Sequence, residues 1–91
     1  MHIISEEQYE PSLQGITFSL EHDAERLRFV ISKKALADYF EAEHSTEAVL
    51  ALFKANRKRI AAFAANVKGI CPIHQNGYKL IDLDTCRKYS L

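Results

Sequence analysis

The side chains best suited to chemistry lie near the end of the chain: Cys71-x-x-His74, with Cys86 fifteen residues after the first cysteine. Thiolate and imidazole are the ligands zinc prefers. A zinc site, however, needs four protein ligands, or three plus water, at a recognisable spacing, and these three match no such pattern. A thiol nucleophile would need its histidine within hydrogen-bond reach and a set of donors for the oxyanion. Cys71 and His74 flank Pro72 in a segment with no strand or helix pattern, so nothing in the spacing holds them together. Asp82-x-Asp84 could attract a cation, but two carboxylates at the start of a terminal helical turn read more simply as a cap. His2, His22 and His44 fall near turns or the terminus and read as exposed, without partners. Gly15, Gly69 and Gly77 stand singly at element boundaries, so no glycine-rich phosphate loop exists. No catalytic residue, metal ligand or cofactor is therefore expected.

The remaining candidate is a charged surface. Formal charge sums to zero, but it is divided along the chain. Residues 1–47 carry ten acids and four bases, a net of −6, and residues 48–91 carry two acids and eight bases, a net of +6. The plain expectation is that the halves fold together and neutralise each other. The alternative is a basic face of Lys54, Arg57, Lys58 and Lys68, with Arg59 at its edge and Lys79 near, that meets an acidic partner. Nucleic acid binding also needs clustered positive charge. A neutral chain without an exposed aromatic run for stacking argues for a protein partner instead, with nucleic acid as the alternative.

These cations sit on the stretch around which the chain is organised, Ser45 to Lys68. Val49, Phe53, Asn56, Ile60, Phe63 and Val67 recur at steps of three and four, which puts them in one stripe of a helix. Alanines favour the helix throughout. Ser45 or Thr46 suits its start, Glu47 the positive end of its dipole, and Gly69 a left-handed stop before Pro72. The spacing predicts one continuous helix roughly 33 Å long. Asn56 stands in the middle of its apolar stripe, where an amide is costly unless bonded. It is expected to bond backbone groups of a loop or strand packed on the helix, and so to fix the docking.

Residues 2–4 predict a short strand, and 5–14 an irregular lead-in. Alternation over Ile16–Glu21 and Arg26–Ile31 predicts a hairpin with Ile16, Phe18, Leu20, Leu27, Phe29 and Ile31 on one face. Ser32 then caps a short helix to about Glu41, with Ala35, Leu36, Tyr39 and Phe40 on its apolar side. Asn76-Gly77 marks a turn, Tyr78–Leu83 a third strand, and Asp84 or Thr85 a last helical turn. The expected fold is α+β: a small antiparallel sheet, a hairpin plus a C-terminal strand, covered on one face by a short and a long helix. One domain over 1–91 fits the length.

Ile31-Ser32-x-x-Ala35-Leu36, then Phe53-x-x-Asn56-Arg57-x-x-Ile60, then Gly77-Tyr78-x-Leu80 with Asp84 resemble a known family, the small bacterial domain of unknown function fourteen-eighty-eight. The resemblance covers most of the chain from about residue 15. It implies a stand-alone cytoplasmic bacterial domain and brings no activity. Two cysteines are too few for a disulfide framework and read as free thiols of a reducing cytosol. No apolar run reaches the ~20 residues of a membrane span. The N-terminus lacks the basic start and apolar run of a signal peptide. The sequence thus points to a non-catalytic cytoplasmic interaction or regulatory module with a protein partner or self-association and no membrane. A nucleic-acid-associated protein is the second reading, and a small metal or thiol enzyme the third.

Overall fold

A computed structural model describes residues 3–22, 24–74 and 77–91 of the chain. It opens with a strand, β1 (Ile3–Glu10), where the sequence predicts an irregular lead-in after residue 4. The register explains the discrepancy. Ile4 lies opposite Leu20 and Tyr9 opposite Ile16, both on the core side, yet they are five positions apart. Five is odd, so a regular strand would send them to opposite faces. A bulge between Ser5 and Gln8 inserts one residue and restores the phase, with Glu6 in the left-handed region at φ 58°.

A 3-10 turn at Pro11–Leu13 leads into β2 (Gly15–His22), which forms the expected hairpin with β3 (Glu25–Ser32). Their pairing runs unbroken from Gly15–Ser32 to His22–Glu25. Ile16, Phe18, Leu20, Phe29 and Ile31 are buried on one face as the alternation predicts, and Leu27 packs at the edge of the same cluster. At Gly15 a Cβ would lie 2.6 Å from the carbonyl oxygen of Ile31, a backbone atom that cannot move aside alone. Gly15→Ala should therefore cost about 1–3 kcal/mol in chemical denaturation. A variant as stable as the parent would mean that the two strands are further apart there.

Ser32 caps α1 (Lys33–Tyr39) by accepting from the Ala35 amide at 3.0 Å. Ser45 does the same for α2 (Thr46–Ala55), accepting from Ala48 at 3.1 Å. The predicted single helix is in fact two. α2 stops at Asn56 (φ −116°, ψ 23°), and α3 (Arg57–Val67) starts again immediately. The apolar stripe survives the interruption: Val49, Phe53, Ile60, Phe63, Ala64 and Val67 are all buried. α3 also ends differently. Gly69 does not take up the left-handed conformation, and the last turn closes through Ile70 and Cys71 amides that both donate to the Val67 carbonyl.

The chain returns to the sheet as β4 (Lys79–Ile81), then ends in α4 (Leu83–Lys88), capped by Asp82, which accepts from the Thr85 amide at 2.9 Å and hydroxyl at 2.8 Å. Asp82 thus acts as the cap of α4. Of the predicted Asn76-Gly77 turn, Asn76 lies outside the described residues. Gly77 has φ 81° and donates to the His74 carbonyl at 2.8 Å. Strand order is β1-β2-β3-β4. The class is α+β as expected, but β4 runs parallel to β3 rather than antiparallel. The three helices between them return the chain to the starting end of β3, which parallel pairing demands. The helices pack on one face of the sheet, and among the described residues none covers the other.

Candidate interaction surface

The interruption at Asn56 decides how the cations are presented. Its side-chain Nδ2 donates to the Leu52 carbonyl at 2.9 Å, and its backbone amide approaches the Leu52 and Phe53 carbonyls. The amide therefore closes the last turn of α2. The expected partner on a packed strand or loop is not the one it finds. Asn competes with helical hydrogen bonding in this way wherever it occurs in a helix interior. The helical backbone is interrupted here, and a depression of about 410 Å³ lies at the junction, lined by Lys54, Ala55, Asn56, Arg57, Lys58 and Arg59. Four of these six side chains are cationic, and none is acidic.

Not all four are free. Arg57 reaches β1: Nη2 donates to the Ile4 carbonyl at 2.8 Å, and Nη1 lies 3.1 Å from Glu7 Oε1. It fastens the start of α3 to the bulged strand. Arg59 donates to the Leu91 carbonyl, which also accepts from the Tyr39 hydroxyl at 2.8 Å, and its guanidinium lies 5.5 Å from the centre of the Phe40 ring. Lys54 and Lys58 are exposed and, among the described residues, have no acidic partner. Lys68 does not belong to this group. It sits a full helix away at the end of α3 and pairs with Glu25 at 3.2 Å. The two pairs Arg57–Glu7 and Lys68–Glu25 show the acidic and basic halves of the chain neutralising each other, as the plain reading of the charge division expects.

Three consecutive cations open α3 with no acid in its first turn and no side-chain cap. Each opposes the positive end of the helix dipole, typically at a cost of about 0.3–1 kcal/mol. Local rules are broken in this way mostly where function requires it.

Cys71 and Cys86 are buried and unoxidised. Burial pushes the Cys71 thiol up. Burial, then the Asp82 carboxylate, then Cys71 push Cys86 up to about 12. Both thiols are thus held neutral, which disarms them as nucleophiles. Among the described residues no three His, Cys, Asp or Glu side chains come together to hold a metal ion. His44, expected to be unpaired, lies 2.6 Å from Asp38, and this hydrogen bond holds the Asp38 carboxyl below its ordinary value. His2 and the side chain of His22 lie outside the described residues.

A family model described as "Protein of unknown function (DUF1488)" matches residues 4–68. The match begins well before residue 15, taking in β1, and stops at the end of α3. Gly77-Tyr78-x-Leu80 and Asp84 therefore lie outside it. Among solved structures, the chain is similar to the crystal structure of a protein of unknown function from the same family in Shewanella loihica. The two are 20% identical, with 88% of this chain and 90% of that chain covered at a TM-score of 0.68. At that identity the likeness speaks for the fold. No curated protein matches the chain. No helix is long and apolar enough to cross a membrane among the described residues.

Proposed function

We propose that this chain, which belongs to the DUF1488 family of proteins of unknown function, is a non-catalytic cytoplasmic module that binds an acidic protein segment at the α2–α3 junction. One observation carries the reading: Lys54, Arg57, Lys58 and Arg59 line one depression without an acid among them, at the positive end of α3. Arg57 and Arg59 are anchored from behind, so two of the cations are pre-positioned and lose little freedom on binding. Lys54 and Lys58 supply the charge still free to be neutralised.

A module of this kind needs no nucleophile, and the buried, neutral thiols agree with that. Nucleic acid is the second reading, because the same cations suit phosphates. The described residues put no aromatic ring into the junction for bases to stack on, and this favours a carboxylate-rich protein partner.

The test is a salt-titrated pull-down from a cell extract, with the parent and a Lys54→Gln/Lys58→Gln variant. Arg57 is left intact because it ties α3 to β1. Acidic proteins retained by the parent should elute from the variant at lower salt. Recovery of nuclease-sensitive material in their place would establish the second reading. Identical elution from both proteins would remove the junction as the binding surface.

A further inference from the structure

The helix-free face of the sheet carries a second cleft besides the depression at the α2–α3 junction. Thr17 and Ser19 point away from the core, yet they are 4% and 3% exposed. Beside them lies a cleft of about 460 Å³, with these hydroxyls on its floor and Glu6, Glu7, Gln8, Arg28 and Tyr78 around it. Its size lies in the range of sites that enclose small molecules.

The hydrogen bonding on the floor is incomplete. Thr17 Oγ1 approaches the Gln8 carbonyl, and Ser19 Oγ a Glu6 carboxylate oxygen, only to 3.4 Å. Good hydroxyl bonds to oxygen are nearer ~2.7–2.8 Å. Ser5, opposite Ser19 in the β1–β2 register, has a buried hydroxyl without a partner. Three neighbouring hydroxyls on one face are therefore poorly satisfied, and buried polar groups seldom remain so.

The charges around the cleft are sorted. Glu6 is neutralised by Arg26 at 2.5 Å, and Glu7 by Arg57 at 3.1 Å. Among the described residues Arg28 has no carboxylate partner. It donates to the Tyr78 hydroxyl, and its guanidinium carbon lies 4.4 Å from the centre of that ring. Stacking of this kind fixes the plane of the guanidinium and leaves other donors of its fork available. The bulge at Glu6 turns the strand where the rim is formed, as bulges beside binding sites do.

We infer that this cleft binds a small oxyanion, a carboxylate or a phosphate, with Arg28 holding its charge and the Thr17 and Ser19 hydroxyls donating to its oxygens. Hydroxyls rotate freely, so both can turn their protons from long internal contacts to the ligand. Tyr78 positions the guanidinium, whose planar fork matches either anion.

The experiment is a titration of the nitrogen-15-labelled protein with sodium phosphate and, separately, with succinate at constant ionic strength. Amide signals of Thr17, Ser19, Arg28 and Tyr78 should shift and saturate with at least one anion, and whichever binds assigns the class. Arg28→Gln, at an exposed position, should weaken the response about tenfold or more with the remaining spectrum unchanged. Tyr78→Ala should weaken it several-fold, because it removes both the ring against which the guanidinium lies and the hydroxyl to which it donates. Lys54→Gln/Lys58→Gln should leave it unaltered, which separates this site from the junction. No saturable shift in the cleft by about 10 mM of either anion would overturn the inference. So would shifts that survive Arg28→Gln or that map to the α2–α3 junction.

Discussion

Phe53→Ala should lower stability by about 3–5 kcal/mol, the largest loss expected from any single side chain here. Phe53 is fully buried near the end of α2, with its ring centre 5.2 Å from that of Phe18. Phe18 in turn stacks on Phe29 at 5.5 Å. The three rings tie α2 to the two central strands. Truncation would leave a hole between sheet and helix that rigid strands cannot collapse to fill, and the aromatic contact would be lost with it. At about 4–8 °C per kcal/mol for a domain of this size, the melting temperature should fall by more than 10 °C. A fall of only a degree or two would mean that α2 does not rest on the hairpin.

The second large effect concerns pH. The Cys86 thiol is held neutral in the fold up to about 12, against an ordinary value of 9.0. Between these values the folded protein keeps a proton that the unfolded chain has lost. The resulting stability is complete below pH 9 and is lost as pH rises through the window toward 12. The slope approaches ~1.4 kcal/mol per pH unit. Tyrosines and lysines titrate there too, so the informative quantity is the difference between parent and Cys86→Ala. At pH 7 the variant should be the less stable of the two, through its small cavity. That gap should shrink steadily above pH 9 and then reverse. A gap that stays constant to pH 11 would show that Cys86 ionises as easily in the fold as out of it.

The features legible in the sequence are those set by short-range periodicity. Alternation through Ile16–Glu21 and Arg26–Ile31 marks the hairpin because each strand has one face on the core. The Val49-to-Val67 stripe identifies the residues under the helices even though the axis breaks within it. What escapes depends on partners distant in sequence. β1 hides because its bulge shifts the phase between Ile4 and Tyr9. The helix break hides because Asn56 sits in phase with its apolar neighbours, and only its bond to Leu52 shows that it ends one helix. The direction of β4 hides because three residues carry no trace of it.

The same holds for the sites. Lys54, Arg57 and Lys58 are neighbours on a helix face by spacing alone, so the sequence groups them. Lys68 meets the same periodicity but pairs with Glu25, forty-three positions earlier. Arg59, at the edge of that face by spacing, lines the junction with Lys54, Arg57 and Lys58. Nothing in the alternation distinguishes Thr17 and Ser19 from ordinary solvent-facing residues. The cleft they line is shared with Arg28 and Tyr78, which are fifty positions apart.

The binding of a carboxylate-rich protein segment at the junction is the proposal to test. It is tested most directly by fluorescence anisotropy with a labelled oligo-glutamate peptide and, in parallel, a labelled DNA duplex. Parent, Lys54→Gln/Lys58→Gln and Lys68→Gln proteins are compared at the same salt. The peptide should bind the parent, bind the double variant about 3- to 30-fold more weakly, and bind Lys68→Gln as it binds the parent. Equal affinity of the peptide for parent and double variant, or binding of the duplex in preference to the peptide, would contradict the account.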